Sequence, residues 1–169
     1  DILDEQRVVV GSPLRLAYTE DGGYQWIDIP LPGTCEFLVG MSFISLDKGY
    51  IMDHQGTVYC TENRGEEWTT VAQMPLVEGI RVNDTPSATM RVNADNFATI
   101  VYLDKDNKTY SYQVDLSTEN AGSDLPVSDE AWQTILLTEK KYVVSYLSND
   151  GQYLTTYNSR GTIHLFKLE

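Results

Sequence analysis

Apolar and polar residues alternate along this chain in short runs rich in Val, Ile, Thr, Tyr and Phe, at 7–11, 14–19, 49–53, 57–61, 97–103, 109–114 and 162–167. Successive side chains of an extended backbone point to opposite faces, so a period of two marks a strand with one face buried. The runs are separated by residues that tolerate the left-handed backbone of a tight hairpin: Asp21-Gly22-Gly23, Asp104-Lys105-Asp106-Asn107 and Asn149-Asp150-Gly151. Apolar residues at helical spacing are nearly absent. The pattern predicts an all-β chain of short antiparallel strands.

The pattern also repeats. Thr19-Glu-Asp21-Gly-Gly23-Tyr-Gln-Trp26 returns as Thr61-Glu-Asn63-Arg-Gly65-Glu-Glu-Trp68, 42 residues later. The likeness runs backwards, with Val9-Val10-Gly11 set against Ile51-Met52-Asp53 and Leu16-Ala17-Tyr18 against Val58-Tyr59-Cys60. Trp26, Trp68 and Trp132 are each followed, three residues on, by Ile29, Val71 and Ile135, and each opens a strand-like run. A hairpin turn entering a strand recurs at Gly56-Thr57, Lys108-Thr109 and Gly161-Thr162, at intervals of 52 and 53 residues. Units of about 40–50 residues with four strands each are the signature of propeller blades.

With strands labelled a to d outward from the axis, the units fall at about 1–31, 36–75, 80–137 and 140–169, within one domain. The first is expected to hold b, c and d at 7–11, 14–19 and 25–29, the second all four at 37–45, 49–53, 57–61 and 67–72. The third holds all four at 88–93, 97–103, 109–114 and 131–137, and the last a, b and c at 142–147, 152–157 and 162–167. That makes three and a half to four four-stranded antiparallel blades. Either a longer propeller or a second chain completes the ring, because open stacks expose sheet edges and apolar faces, or residues 1–6 supply the missing strand and four blades close alone.

The repeated octapeptide resembles the Asp-box, or BNR repeat, S/T-x-D-x-G-x-x-W/F, of sialidases, Vps10-type receptor domains and photosystem II assembly factors of the Ycf48 type. The resemblance covers 7–31 and 36–72 well and the rest through strand rhythm; Asn63 replaces the Asp, and the third unit keeps only Trp132. It implies that Thr19, Asp21, Gly23, Trp26, Thr61, Asn63, Gly65 and Trp68 form structural turns on the outer c–d hairpins, away from the ligand face and without catalytic duty. The chemistry agrees. A carboxylate or amide oxygen at Asp21 or Asn63 caps N–H groups of its own turn, the Thr19 and Thr61 hydroxyls serve the same turn, and Gly23 and Gly65 take angles a Cβ obstructs. Trp26 and Trp68 are expected to bury their rings between sheets.

Charge narrows the function. A net charge of −13 and a pI near 4.4 repel phosphate backbones and anionic lipid, which argues against nucleic-acid and membrane-surface binding. No apolar run approaches the ~20 residues of a membrane span, and no basic stretch precedes an apolar one at the start, so a soluble chain without a visible signal peptide is expected. Two cysteines make no disulfide scaffold. Cys35 and Cys60 fall at opposite ends of strands separated by a third, about 9–10 Å apart, beyond the reach of a disulfide, so two free thiols are predicted.

No catalytic constellation stands out. A sialidase would gather three arginines on a carboxylate, a Tyr–Glu nucleophile pair and an acidic Asp, after an Arg-Ile-Pro start. None of Arg7, Arg15, Arg64, Arg81, Arg91 and Arg160 sits in such a tripeptide, and Arg64, in a turn, is expected to face solvent. His54 and His164 are not spaced as a metal pair: His54 is expected exposed in a hairpin and His164 at a blade face. Asp104-Lys105-Asp106-Asn107 lacks the Gly and Glu of a calcium loop. No metal or cofactor is expected. Asn83-Asp-Thr85 and Asn107-Lys-Thr109 match the glycosylation triplet, a frequent chance match. The polar insertion 115–130 and the recurrent Tyr102, Tyr110, Tyr112, Tyr146, Tyr153 and Tyr157 are candidate recognition surfaces. The reading is a non-catalytic binding module for a protein or carbohydrate (glycan) partner. The alternatives are part of a sialidase-like glycoside hydrolase or a Ycf48-like assembly factor, and the family resemblance implies an extracytoplasmic setting: periplasm, secretion or an organelle lumen.

Overall fold

The computed structural model describes residues 1–74, 88–103, 109–116, 133–138, 144–148, 153–157 and 163–167. Among the described residues, fourteen strands form four antiparallel meanders. The first sheet is β1 (Val8–Ser12), β2 (Arg15–Thr19) and β3 (Ile27–Ile29); the second is β4 (Leu38–Phe43), β5 (Gly49–Asp53), β6 (Thr57–Thr61) and β7 (Thr69–Gln73). The third is β8 (Ala88–Val92), β9 (Phe97–Leu103), β10 (Thr109–Asp115) and β11 (Gln133–Thr138); the fourth is β12 (Val144–Leu147), β13 (Tyr153–Tyr157) and β14 (Ile163–Lys167). Among the described residues there is no helix, hence none long and apolar enough to cross a membrane.

Alternation along the strands explains the stacking. On β5, Tyr50 and Met52 enter a core shared with Met90, Val92, Ala98, Ile100, Tyr112 and Val114 of the third sheet, whereas Ile51 between them joins Val9, Leu16, Tyr18 and Ile29 of the first. On β6 the same split puts Val58 in the first of these cores and Tyr59 in the second. The third sheet does likewise, turning Val101 away from Ile100 to meet Leu147 and Leu154 of the fourth. A sheet buried on both faces needs apolar residues at nearly every position, which is why β5 has no exposed residue. First strands meet first strands, β1 against β4, β4 against β8 and β8 against β12, as in blades arranged about an axis.

One alternative is decided and one expectation needs correction. Residues 1–3, within the 1–6 segment of the second alternative, take the inner-strand position in the first sheet: the Asp1 carbonyl accepts from Val9 N–H at 2.8 Å, and Ile2 bridges Val8. The Asp1 carboxylate accepts the Phe43 N–H at 2.8 Å and pairs with Arg91, so it ties the inner edges of three sheets. The backward alignment of β1 is also one residue out. Pairing sets Val8 opposite Thr19 and Gly49 opposite Thr61, so Val10, and not Val9, corresponds to Ile51. A slip of one exchanges the faces.

Candidate functional site

The two octapeptides fold into the same turn, bond for bond. Thr19 Oγ1 donates to Asp21 Oδ1 at 2.8 Å and accepts from the Gly23 N–H at 3.0 Å, while Asp21 Oδ1 caps the Gln25 N–H at 2.9 Å. Thr61 Oγ1 donates to Asn63 Oδ1 at 3.0 Å and accepts from Gly65 N–H at 2.8 Å, and Asn63 Oδ1 caps Glu67 N–H at 2.9 Å. Only one side-chain oxygen is used, so Asn serves where Asp did. The Gln25 N–H, then the Thr19 hydroxyl, holds the Asp21 carboxyl below its usual range. Both central residues lie at positive φ: Gly22 and Gly23 at 73° and 96°, Arg64 and Gly65 at 61° and 81°.

These turns lock sheet to sheet. A Cβ on Gly65 would overlap Ile29 Cγ2. The Trp68 indole N–H donates to the Pro30 carbonyl at 2.8 Å, and its ring packs on the core between first and second sheets. Arg64 faces solvent in part, its side chain 39% exposed, but it is also held by partners. Its Nε meets Asp47 at 2.6 Å and its Nη1 meets Glu20 of the first turn at 3.2 Å, with the guanidinium 5.6 Å above the Tyr18 ring. These partners, Asp47 first, raise its pKa further. Trp26 departs from expectation as well, at 47% exposed. Trp132 lies outside the described residues.

Between the second and third sheets the corresponding place is an open cleft of about 500 Å³, lined by Lys48, Tyr50, Cys60, Glu62, Glu67 and Asn96 among others. Tyr50 OH donates to Asn96 Oδ1 at 2.8 Å, and Lys48 Nζ lies 3.5 Å from Glu62 and 6.0 Å from the Tyr50 ring centroid. Cys60 and Glu62 stand where Tyr18 and Glu20 stand one unit earlier. There Arg64, supplied by the next turn, fills the space. The sequence between β10 and β11, 117–132, contains neither Lys nor Arg.

Burial raises the Cys60 thiol and the Tyr50 phenol, and burial with Asp53 pushes Cys35 up to about 11. Both cysteines are free, as predicted. The described arginines do not converge: Arg7 pairs with Asp4, Arg15 with Asp28, Arg64 with Asp47 and Glu20, and Arg91 with Asp1. Arg81 and Arg160 lie outside the described residues, as do the loops 104–108 and 117–132, Asn83 and the side chains of His164, Tyr102, Tyr110, Tyr146 and Tyr157. His54 is not exposed in the manner expected: its side chain is 20% exposed, edge-on to Phe37 and 3.8 Å from Glu36. Tyr112 is buried in the core and Tyr153 is 40% exposed. No group of side chains suited to a metal occurs among the described residues.

One repeated device escaped the sequence reading. Asp53 Oδ1 caps the N–H groups of Gln55 and Thr57, both at 2.9 Å, and Asn93 Oδ1 caps those of Asp95 and Phe97 at 3.0 and 2.9 Å. Three residues after each cap stands a residue at positive φ, Gly56 at 82° and Asn96 at 62°. The visible signal was Asp or Asn followed at that spacing by Gly or Asn.

No family model matches the chain. It is 33% identical over 69 residues, 38% of its length, to the photosystem II stability/assembly factor HCF136, chloroplastic, of Arabidopsis thaliana, of which it spans 16%. Among solved structures it matches Ycf48 bound to a D1 peptide (TM-score 0.53, 16% identity, 97% of this chain and 52% of that one). It also matches Ycf48 from Cyanidioschyzon merolae (0.52, 15%, 92% and 46%) and the WD40 domain of Toxoplasma gondii coronin (0.54, 10%, 96% and 39%). The fold is a β-propeller. The chain spans about half the length of the Ycf48 structures it matches.

Proposed function

We propose that this chain is part of a non-catalytic propeller that binds a protein partner, with the turns at 19–26 and 61–68 as structural Asp-boxes. The reading takes the cleft between second and third sheets as a seat for an arginine of that partner. One observation carries it: the equivalent cleft one unit earlier is occupied by Arg64 on Tyr18, Glu20 and Asp47, whereas this one keeps Glu62 and Glu67 and, among the described residues, holds no guanidinium. Guanidinium pairs well with carboxylates and stacks on aromatic faces, and a net charge of −13 draws basic segments in. The peptide held by a solved Ycf48 supports the protein class of partner, and the chloroplastic relative accords with an extracytoplasmic setting.

The test is titration of ¹⁵N-labelled chain with acetyl-Arg-Arg-Arg-amide and its citrulline counterpart. Amide shifts clustered at Glu62, Glu67 and Asn96, absent with citrulline and lost in Glu62→Gln/Glu67→Gln, support the seat. Shifts spread over the acidic surface, or none, overturn it.

A further inference from the structure

We infer that the groove between the first and second sheets is a binding site for a neutral saccharide. The inference rests on other residues than the arginine seat and stands without it.

The groove holds about 380 Å³ and lies between the connection 30–34 and the outer part of the second sheet, where Tyr59, Glu66, Trp68 and Thr70 line it. That volume is within the range of small-ligand sites. Its apolar element is the Trp68 ring. The indole N–H is spent on the Pro30 carbonyl at 2.8 Å, so what the ring brings to the groove is carbon. The C–H face of a pyranose packs on such a ring.

The polar elements accept. Tyr59, 5% exposed, donates its one hydroxyl hydrogen to Asp53 Oδ2 at 3.1 Å, and Asp53 is 1% exposed. The Thr34 hydroxyl, 3.0 Å from the Tyr59 oxygen, is therefore the donor of that second bond. Its hydrogen is turned inward, and its lone pairs remain for a ligand. A relay anchored on a buried carboxylate thus gives an exposed threonine a fixed polarity. Glu66 adds a second acceptor; it is exposed, and no salt bridge to it occurs among the described residues. Thr70, exposed on β7, adds a further hydroxyl.

Acceptors call for donors, and polyols and cations both bring several. The surroundings choose between them. Where this protein clasps a guanidinium, at Arg64, it brings two carboxylates to it, Asp47 and Glu20. In the groove one carboxylate stands among three hydroxyls. A saccharide carries a donor on nearly every ring carbon, whereas a peptide backbone carries one per residue. Glu66 and a net charge of −13 repel acidic sugars, which leaves the neutral ones.

The experiment titrates the ¹⁵N-labelled chain with cellobiose, maltose, lactose and N,N′-diacetylchitobiose, and with sialyllactose and butylammonium as charged counterparts. The readout is the Trp68 indole N–H signal, assigned by Trp68→Phe, together with the amides of Thr34, Glu66 and Thr70. At least one neutral disaccharide is expected to shift these signals as a group, and the charged ligands to leave them in place. Glu66→Ala and Thr70→Val alter exposed side chains and so spare the fold. The first is expected to weaken that disaccharide about tenfold, as for one charge-assisted hydrogen bond, and the second by a smaller factor. No shift with any neutral sugar overturns the inference, as does affinity unchanged in both variants. A response to butylammonium alone assigns the groove to a cation and overturns it too.

Discussion

At the scale of single residues, the hairpin turns depend on one hydroxyl and one oxygen each. Thr19, fully buried, both donates to Asp21 and accepts from the Gly23 N–H. Replacing it by the near-isosteric valine leaves that N–H without a partner, so Thr19→Val is expected to cost about 1–3 kcal/mol in urea denaturation. Asp21→Asn is expected to leave stability at neutral pH unchanged, since Asn63 already performs the role. The variants separate in acid. The folded carboxyl lies below its unfolded value, so its contribution is present above that unfolded value, about 3.9, and fades as pH falls through the folded one. Wild type should lose this increment as pH falls below about 4 while Asp21→Asn does not, which a pH series of urea midpoints will read. Why the motif was legible follows from the chemistry: residue types with short side chains act on their own backbone, within four positions. Arg64 was not legible for the converse reason. Its partners, Asp47 and Glu20, are 17 and 44 positions away, and nothing local distinguishes a clasp from a solvated arginine.

At the scale of elements, the strands were readable because alternation and turn residues are both local, and the observed ends fall within two residues of those expected. Register was not. Val9 and Val10 are equally apolar, and only the pairing of Val8 with Thr19 shows which of them faces the second sheet. The same distinction between local and nonlocal separates two glycines. Gly23 and Gly65 both need positive φ, which costs a Cβ-bearing residue about 1–2 kcal/mol. Gly65 additionally abuts Ile29 and Pro30, whereas Gly23 has only the Trp26 ring nearby, at 3.6 Å. Gly65→Ala should therefore destabilise clearly more than Gly23→Ala, and the difference in urea midpoints measures how tightly the second turn is keyed into the first sheet. Equal losses would mean that backbone angle alone governs both positions.

At the scale of the whole molecule, the partial burial of Trp68 and the greater exposure of Trp26 are consequences of sheet order, which a repeat cannot announce because its copies are alike. The cleft belongs to the same scale. An overall charge of −13 attracts any basic peptide, so a weak affinity for arginine peptides alone does not establish a seat. Charge-matched neutralisation separates the two effects. Glu62→Gln/Glu67→Gln and Glu5→Gln/Glu36→Gln each remove two negative charges, and a peptide held only by the general field must lose the same affinity from both. If the cleft holds the guanidinium, the first pair is expected to weaken acetyl-Arg-Arg-Arg-amide roughly tenfold more than the second, about the 1.4 kcal/mol of one charge-assisted contact. Lys48 supplies an opposite sign. Its ammonium already sits 3.5 Å from Glu62, competing for the same wall, so Lys48→Ala should raise affinity beyond what a remote Lys167→Ala does. Calorimetry at 20 mM and 150 mM salt completes the comparison: the difference between the two glutamate pairs should persist at the higher salt, since contacts made inside a cleft are screened less than the field outside it.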